Sequence, residues 1–105
     1  MLDLKEAADA ERLGLWWHGT TEEAWGVIQA DGALFGVTGQ RRYTYLTPHR
    51  SVAVACGAVL LRVSYQPQGV GSGADNYGFR PPDGQTCWQF AVFRPIPLGE
   101  VVRTA

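Results

Sequence analysis

The sequence predicts an α+β fold, and three observations carry that reading. Four Trp, four Tyr and four Phe make a heavy aromatic load, and 13 Gly with 6 Pro imply many turns. That mixture suits strands more than a helical bundle. Aromatic and β-branched runs of strand length recur along the chain, and short stretches with helix-start signals lie between them. At 105 residues, one domain over 1–105 is expected, burying roughly two thirds of the surface its unfolded form exposes. The 46% hydrophobic and 18% charged fractions fit an ordinary folded domain and exclude a disordered tail.

Residues 2–12 carry Leu4, Ala7 and Ala8 at helical spacing among charged neighbours, which predicts a short amphipathic lead-in helix. Leu15, Trp16 and Trp17 form a β-favouring run that ends at His18 and Gly19. Thr20, Thr21, Glu22 and Glu23 then fit a capping box, in which the Thr20 hydroxyl accepts from the Glu23 backbone N–H. Ala24, Val27 and Ile28 make one apolar face and Gly32 is a natural C′ residue, so a helix is expected over 21–31. Alone it would be marginal at that length and must pack on something.

Residues 36–40 read as a loop and 42–46 as a strand. Thr47 is a good N-cap and Pro48 suits the first helical position, opening a helix with Val52, Ala53, Ala55 and Cys56 that stops at Gly57. The near-continuous apolar run 58–65 is of strand length. Residues 66–86, rich in Gly and Pro, read as one long irregular loop. A strand over 87–94 and a short final strand around Val101 and Val102 complete the pattern.

Nine basic and ten acidic residues leave a formal charge of −1. Dedicated nucleic-acid modules carry a basic excess, because phosphate neutralisation supplies most of their affinity, so that class is disfavoured. Cys56 and Cys87 are the only cysteines. A zinc site built on them would need both His18 and His49, and no spacing supports it, so no metal is expected and both thiols read as small buried side chains. No hydrophobic signal core and no stretch of membrane-spanning length is present, and the cytoplasm is the expected compartment.

Chemistry enters through the order of the motifs. A strand ending in His18, Gly19 and Thr20 runs directly into a capped helix. A second strand then carries Tyr45, Leu46, Thr47 and Pro48 into a helix of small residues, and apolar strands follow. In that setting a strand-end imidazole can hydrogen-bond a ligand hydroxyl. Gly19 leaves room for a ligand to approach the backbone. The Tyr45 ring offers a stacking face.

From about Trp17 to Val102 this pattern resembles the ADP-ribosyltransferase superfamily, in its His-Tyr-Glu branch of poly(ADP-ribose) polymerases, diphtheria-like toxins and RNA 2′-phosphotransferases. His18, Gly19 and Thr20 match the branch's His-Gly-Ser/Thr step, and Tyr45 with the small-residue helix matches its second element. The resemblance implies small split antiparallel sheets around an NAD cleft, with short helices at their ends. His18 and Tyr45 would lie on one wall and Gln89 near the other. It also implies NAD as substrate, with ADP-ribose passed to a protein, nucleic acid, small molecule or water.

The resemblance makes His18, Tyr45 and Gln89 the catalytic positions. It gives NAD contacts to His18, Gly19, Thr20, Arg41, Arg42, Tyr45 and Ser51. Two departures stand out. Gln89 occupies the family's glutamate position, so no charge there stabilises a cationic ribose; one lost stabiliser costs about 3 kcal/mol. Ala53 and Cys56 stand where many relatives carry a Ser and a second stacking Tyr, with Ser51 nearby but out of phase. Arg41 and Arg42 read either as a solvated pair or as a pyrophosphate or RNA-phosphate contact. His49 reads as a surface residue, and Asp75 and Asp83 read as turn formers or as substitutes for the missing carboxylate. Two alternatives stay open: a degenerate NAD- or ADP-ribose-binding module without turnover, and an RNA 2′-phosphotransferase-like enzyme. The latter group normally carries an N-terminal RNA-binding domain and ranks below the first reading.

Overall fold

A computed structural model of the chain describes residues 4–35, 44–66, 76–79, 89–92 and 94–105, with Leu4, 76–79 and 89–90 described by their backbone. Arg41, Arg42, Asp75, Asp83, Cys87 and Trp88 lie outside the described residues. Helix α1 (Leu4–Leu13) lays Ala10 into the core and ends where Gly14, at φ 66°, donates its N–H to the Ala10 carbonyl at 2.8 Å. Strand β1 (Leu15–Thr20) follows at once. Its Trp16 is buried, and the indole N–H donates to the Tyr65 carbonyl at 2.8 Å.

Helix α2 (Glu22–Asp31) begins one residue later than the capping-box reading placed it. Thr20 stays extended because it pairs with Val59, and Thr21 takes over as N-cap, accepting from the Ala24 N–H at 3.1 Å. Gly32 ends the helix at φ 74°, the left-handed conformation anticipated for it, with its N–H on the Ile28 carbonyl.

Strand β2 (Ala33–Leu34) pairs antiparallel with β7 (Ile96–Pro97), burying Leu34 and Ile96. Strand β4 (Val59–Ser64) lies between β1 and β8 (Val101–Arg103), all antiparallel. That central place explains its near-continuous apolar run: Val59, Leu60, Leu61 and Val63 are all buried. A third antiparallel sheet has the order β3 (Thr44–Leu46), β6 (Gln89–Val92), β5 (Asn76–Phe79). Strand β5 falls inside the segment expected to be one long loop. Asn and Gly are weak strand formers, and here the ladder with β6 supplies what local propensity lacks.

The β1 and β3 sheets are stitched by Trp17 and Thr47, whose backbones exchange hydrogen bonds at 2.8 and 3.0 Å. This bridge also corrects the expected start of helix α3 (Arg50–Cys56). Thr47 is still extended, its hydroxyl accepts from the His49 N–H at 3.1 Å, and the helix opens only after His49. His49 is not at the surface: it is fully buried, with Nδ1 2.7 Å from a Glu6 carboxylate oxygen on α1. Its Nε2 is buried without a hydrogen-bond partner among the described residues, a desolvation cost of about 1–3 kcal/mol that the packing must offset. Trp16, Leu34, Leu46, Leu61, Val63, Val92 and Ile96 form the core, drawn from all three sheets. Among the described residues no helix is long and apolar enough to cross a membrane.

Candidate functional site

Where β1 and β3 meet, the surface opens into a cleft of about 690 Å³. It is lined by residues of β1, α2, β3 and α3, with Leu34 and Phe35 beside them. Its lining is mainly apolar with a few polar groups, and its size falls within the usual range of small-molecule sites, about 300–1,000 Å³.

His18 and Tyr45 both line this cleft, from strands of different sheets. The His18 Nδ1 lies 2.8 Å from the Tyr45 carbonyl oxygen. A carbonyl can only accept, so Nδ1 carries the proton, and a neutral ring leaves Nε2 as an acceptor. Burial pushes the His18 pKa below the ordinary imidazole value, and the bond to the Tyr45 carbonyl opposes that shift only in part. A neutral imidazole held in one tautomer can take a hydrogen bond from a ligand hydroxyl.

A pH dependence of stability follows. As pH falls below the ordinary value of 6.5, the unfolded chain takes up the proton on His18 before the folded chain does. The contribution of neutral His18 is therefore full above that value and is lost as pH falls towards the lower folded-state pKa. Between about pH 7 and 5 the urea midpoint of the wild type should drop more than that of His18→Asn, which keeps a donor for the Tyr45 carbonyl. Parallel profiles for the two proteins would show that His18 is not the linked group.

Gly19 also lines the cleft, and its backbone packs closely on α3. A Cβ there would sit 1.8 Å from the Ala53 carbonyl oxygen, so α3, and no ligand, occupies the face that the missing side chain vacates. Gly57 does the same from the other side, where a Cβ would meet the Thr20 carbonyl oxygen at 2.2 Å. Thr20 lines the cleft. Ser51 does not: Val52, Ala53 and Cys56 are the α3 residues that face it, and Ser51 is turned out to solvent, about 100° around the helix from Val52. Cys56 is an exposed free thiol, against the expectation that it is buried.

Gln89 is placed by its backbone on β6, paired with Phe79 of β5. It thus belongs to the same sheet as Tyr45; its side chain lies outside the described residues. Among the described residues no group of three His, Cys, Asp or Glu is placed to hold a metal.

Sequence reasoning missed the α2 wall. Ala24, Val27 and Ile28 were legible as an apolar face, but Ile28 alone of them is buried, and Val27 is 51% exposed beside the cleft. Glu23 and Phe35 line the cleft as well. On the other side Trp17 is braced by guanidinium groups, Arg62 at 4.3 Å and Arg50 at 6.0 Å from its ring centroid. Comparison with protein-family models, curated proteins and solved structures finds no match to this chain.

Proposed function

We propose that this cleft binds NAD and that the chain is an ADP-ribosyltransferase-like protein, passing ADP-ribose to an acceptor or to water. The observation that carries the reading is the His18–Tyr45 bond. It brings a tautomer-locked imidazole and an aromatic residue from separate strands into one apolar cleft, beside a capped helix. Each part suits a portion of NAD: the His18 Nε2 a ribose hydroxyl, the Tyr45 ring the nicotinamide, the apolar walls the flat rings. In the transfer step the bond between ribose C1′ and the nicotinamide nitrogen breaks. Its electron pair leaves with nicotinamide, and the acceptor oxygen or nitrogen supplies a new pair to C1′ and loses a proton.

A second reading, an NAD- or ADP-ribose-binding module without turnover, is favoured by the glutamine at position 89. Nicotinamide release followed by chromatography separates the two. On this reading Gln89→Glu restores the carboxylate of the family's glutamate position and should raise release tenfold or more, equivalent to about 1.4 kcal/mol of transition-state stabilisation. Ground-state NAD affinity should change little, because one hydrogen bond replaces a similar one. NAD binding with no release from either protein would retire the transferase and leave the binding module.

A further inference from the structure

Trp17 lines the cleft, whereas the two guanidinium groups set against its ring, those of Arg50 and Arg62, do not. Arg62 is the cross-strand partner of Trp17 in the β1–β4 ladder, and Arg50 is the first residue of α3. One guanidinium is enough to brace an indole. Two of them, 4.3 and 6.0 Å from the same ring centroid, stand within roughly 10 Å of each other, about one Debye length, so salt screens their repulsion little.

Counter-charge is short at this place. Arg12 is paired with Asp9 and Arg103 with Glu22, but neither Arg50 nor Arg62 has an ion pair or hydrogen bond among the described residues. The carboxylate whose field reaches Arg62 is Glu6, and one of its oxygens is already held by the buried His49 ring. Burial draws the Arg62 pKa below its ordinary value, and Glu6 opposes that shift only in part. A guanidinium half withdrawn from water and short of a carboxylate gains from an anion. The fork of N–H donors on each arginine matches the oxygens of a phosphate group. The chain's formal charge of −1 gives no field to gather a nucleic-acid backbone, which favours a small molecule.

We propose that Arg50 and Arg62 form a binding site for the phosphate group of a small phosphate monoester, beside the cleft and sharing Trp17 with it. The site does not rest on the NAD reading, because neither arginine lines the cleft.

Titration of the full chain with inorganic phosphate, in an otherwise phosphate-free buffer at low salt, tests this. Calorimetry should show saturable binding, and the Trp17 indole N–H resonance should move with the same midpoint. Arg62→Gln and Arg50→Gln should each weaken binding about tenfold or more, the scale of a lost charge-assisted hydrogen bond. Arg12→Gln, which touches only the Asp9 pair, should leave it unchanged. Arg50 is exposed, so its variant carries the test if Arg62→Gln, in the central strand of its sheet, fails to fold. Phosphate should bind equally well with NAD present. No saturable binding, or an affinity unchanged by Arg50→Gln, overturns the site. Displacement of phosphate by NAD would make these arginines part of the NAD site and overturn it as a site of its own. Tighter binding of an oligonucleotide that lacks terminal phosphates would overturn the small monoester as occupant. Phosphate binding without any NAD binding would remove the NAD reading and leave this site standing.

Discussion

Gly19→Ala is expected to destabilise the protein by about 3 kcal/mol, the upper end of the usual range for overpacking. The added Cβ would stand 1.8 Å from the Ala53 carbonyl oxygen and 2.7 Å from its carbon. These are backbone atoms of a helix, so no side-chain rotation relieves the clash. Either α3 moves off β1 or the β1–β4 ladder bends, and both shift the strand that carries His18. For a chain of this size the melting temperature should fall by roughly 12 °C or more. Gly26→Ala is the internal control. It lies inside α2, nothing approaches within 4 Å of its added Cβ, and its φ is not positive. There alanine should raise stability by about 0.5–1 kcal/mol, because it removes backbone freedom from the unfolded chain. Urea unfolding of both variants checks the pair, and a Gly19→Ala protein as stable as the wild type would show that α3 does not press on β1.

Tyr45→Ala should weaken NAD binding by about 1–3 kcal/mol, the scale of one lost base-stacking contact. The substitution separates two roles of the residue. Its carbonyl oxygen, which fixes His18, belongs to the backbone and survives in the variant. Its ring, 40% exposed, is removed. Stability should therefore change little while affinity falls. Trp17 lines the cleft and provides the fluorescence signal, whereas Trp16 is buried in the core. Equal NAD affinity in wild type and variant, with a clear signal in both, would exclude Tyr45 as the stacking residue.

The elements legible in the sequence are those whose cause is local. The α2 helix announces itself through Thr21, Glu22, Glu23 and Gly32, each acting within a turn of its own position. The β4 strand shows as a continuous apolar run because a strand covered on both faces has no polar side to display. The elements that were missed have distant causes. Strand β2 is two residues long and exists only because Ile96 and Pro97 lie alongside it. Strand β5 is made by β6. His49 looked exposed because its local signals, a preceding proline and a following helix start, say nothing about α1, more than forty residues earlier in the chain, which brings Glu6 to its ring.

The candidate site divides the same way. Sequence by itself determined the α+β class, the order of strand, His18, Gly19, Thr20 and helix, and the place of Tyr45 on a later strand, since each follows from propensity, capping or spacing within a few residues. Tertiary structure alone decided which of these residues share a cleft. Ser51 was excluded by the rotation of α3, whereas Gly19, Thr20 and Glu23 joined the lining of the cleft. His18 and Tyr45 stand 27 residues apart in the chain, yet the imidazole reaches the carbonyl because the Trp17–Thr47 bridge joins their sheets one and two residues away. That bridge is a pairing between backbone groups, which every residue possesses, and so no side-chain pattern in the sequence could announce it.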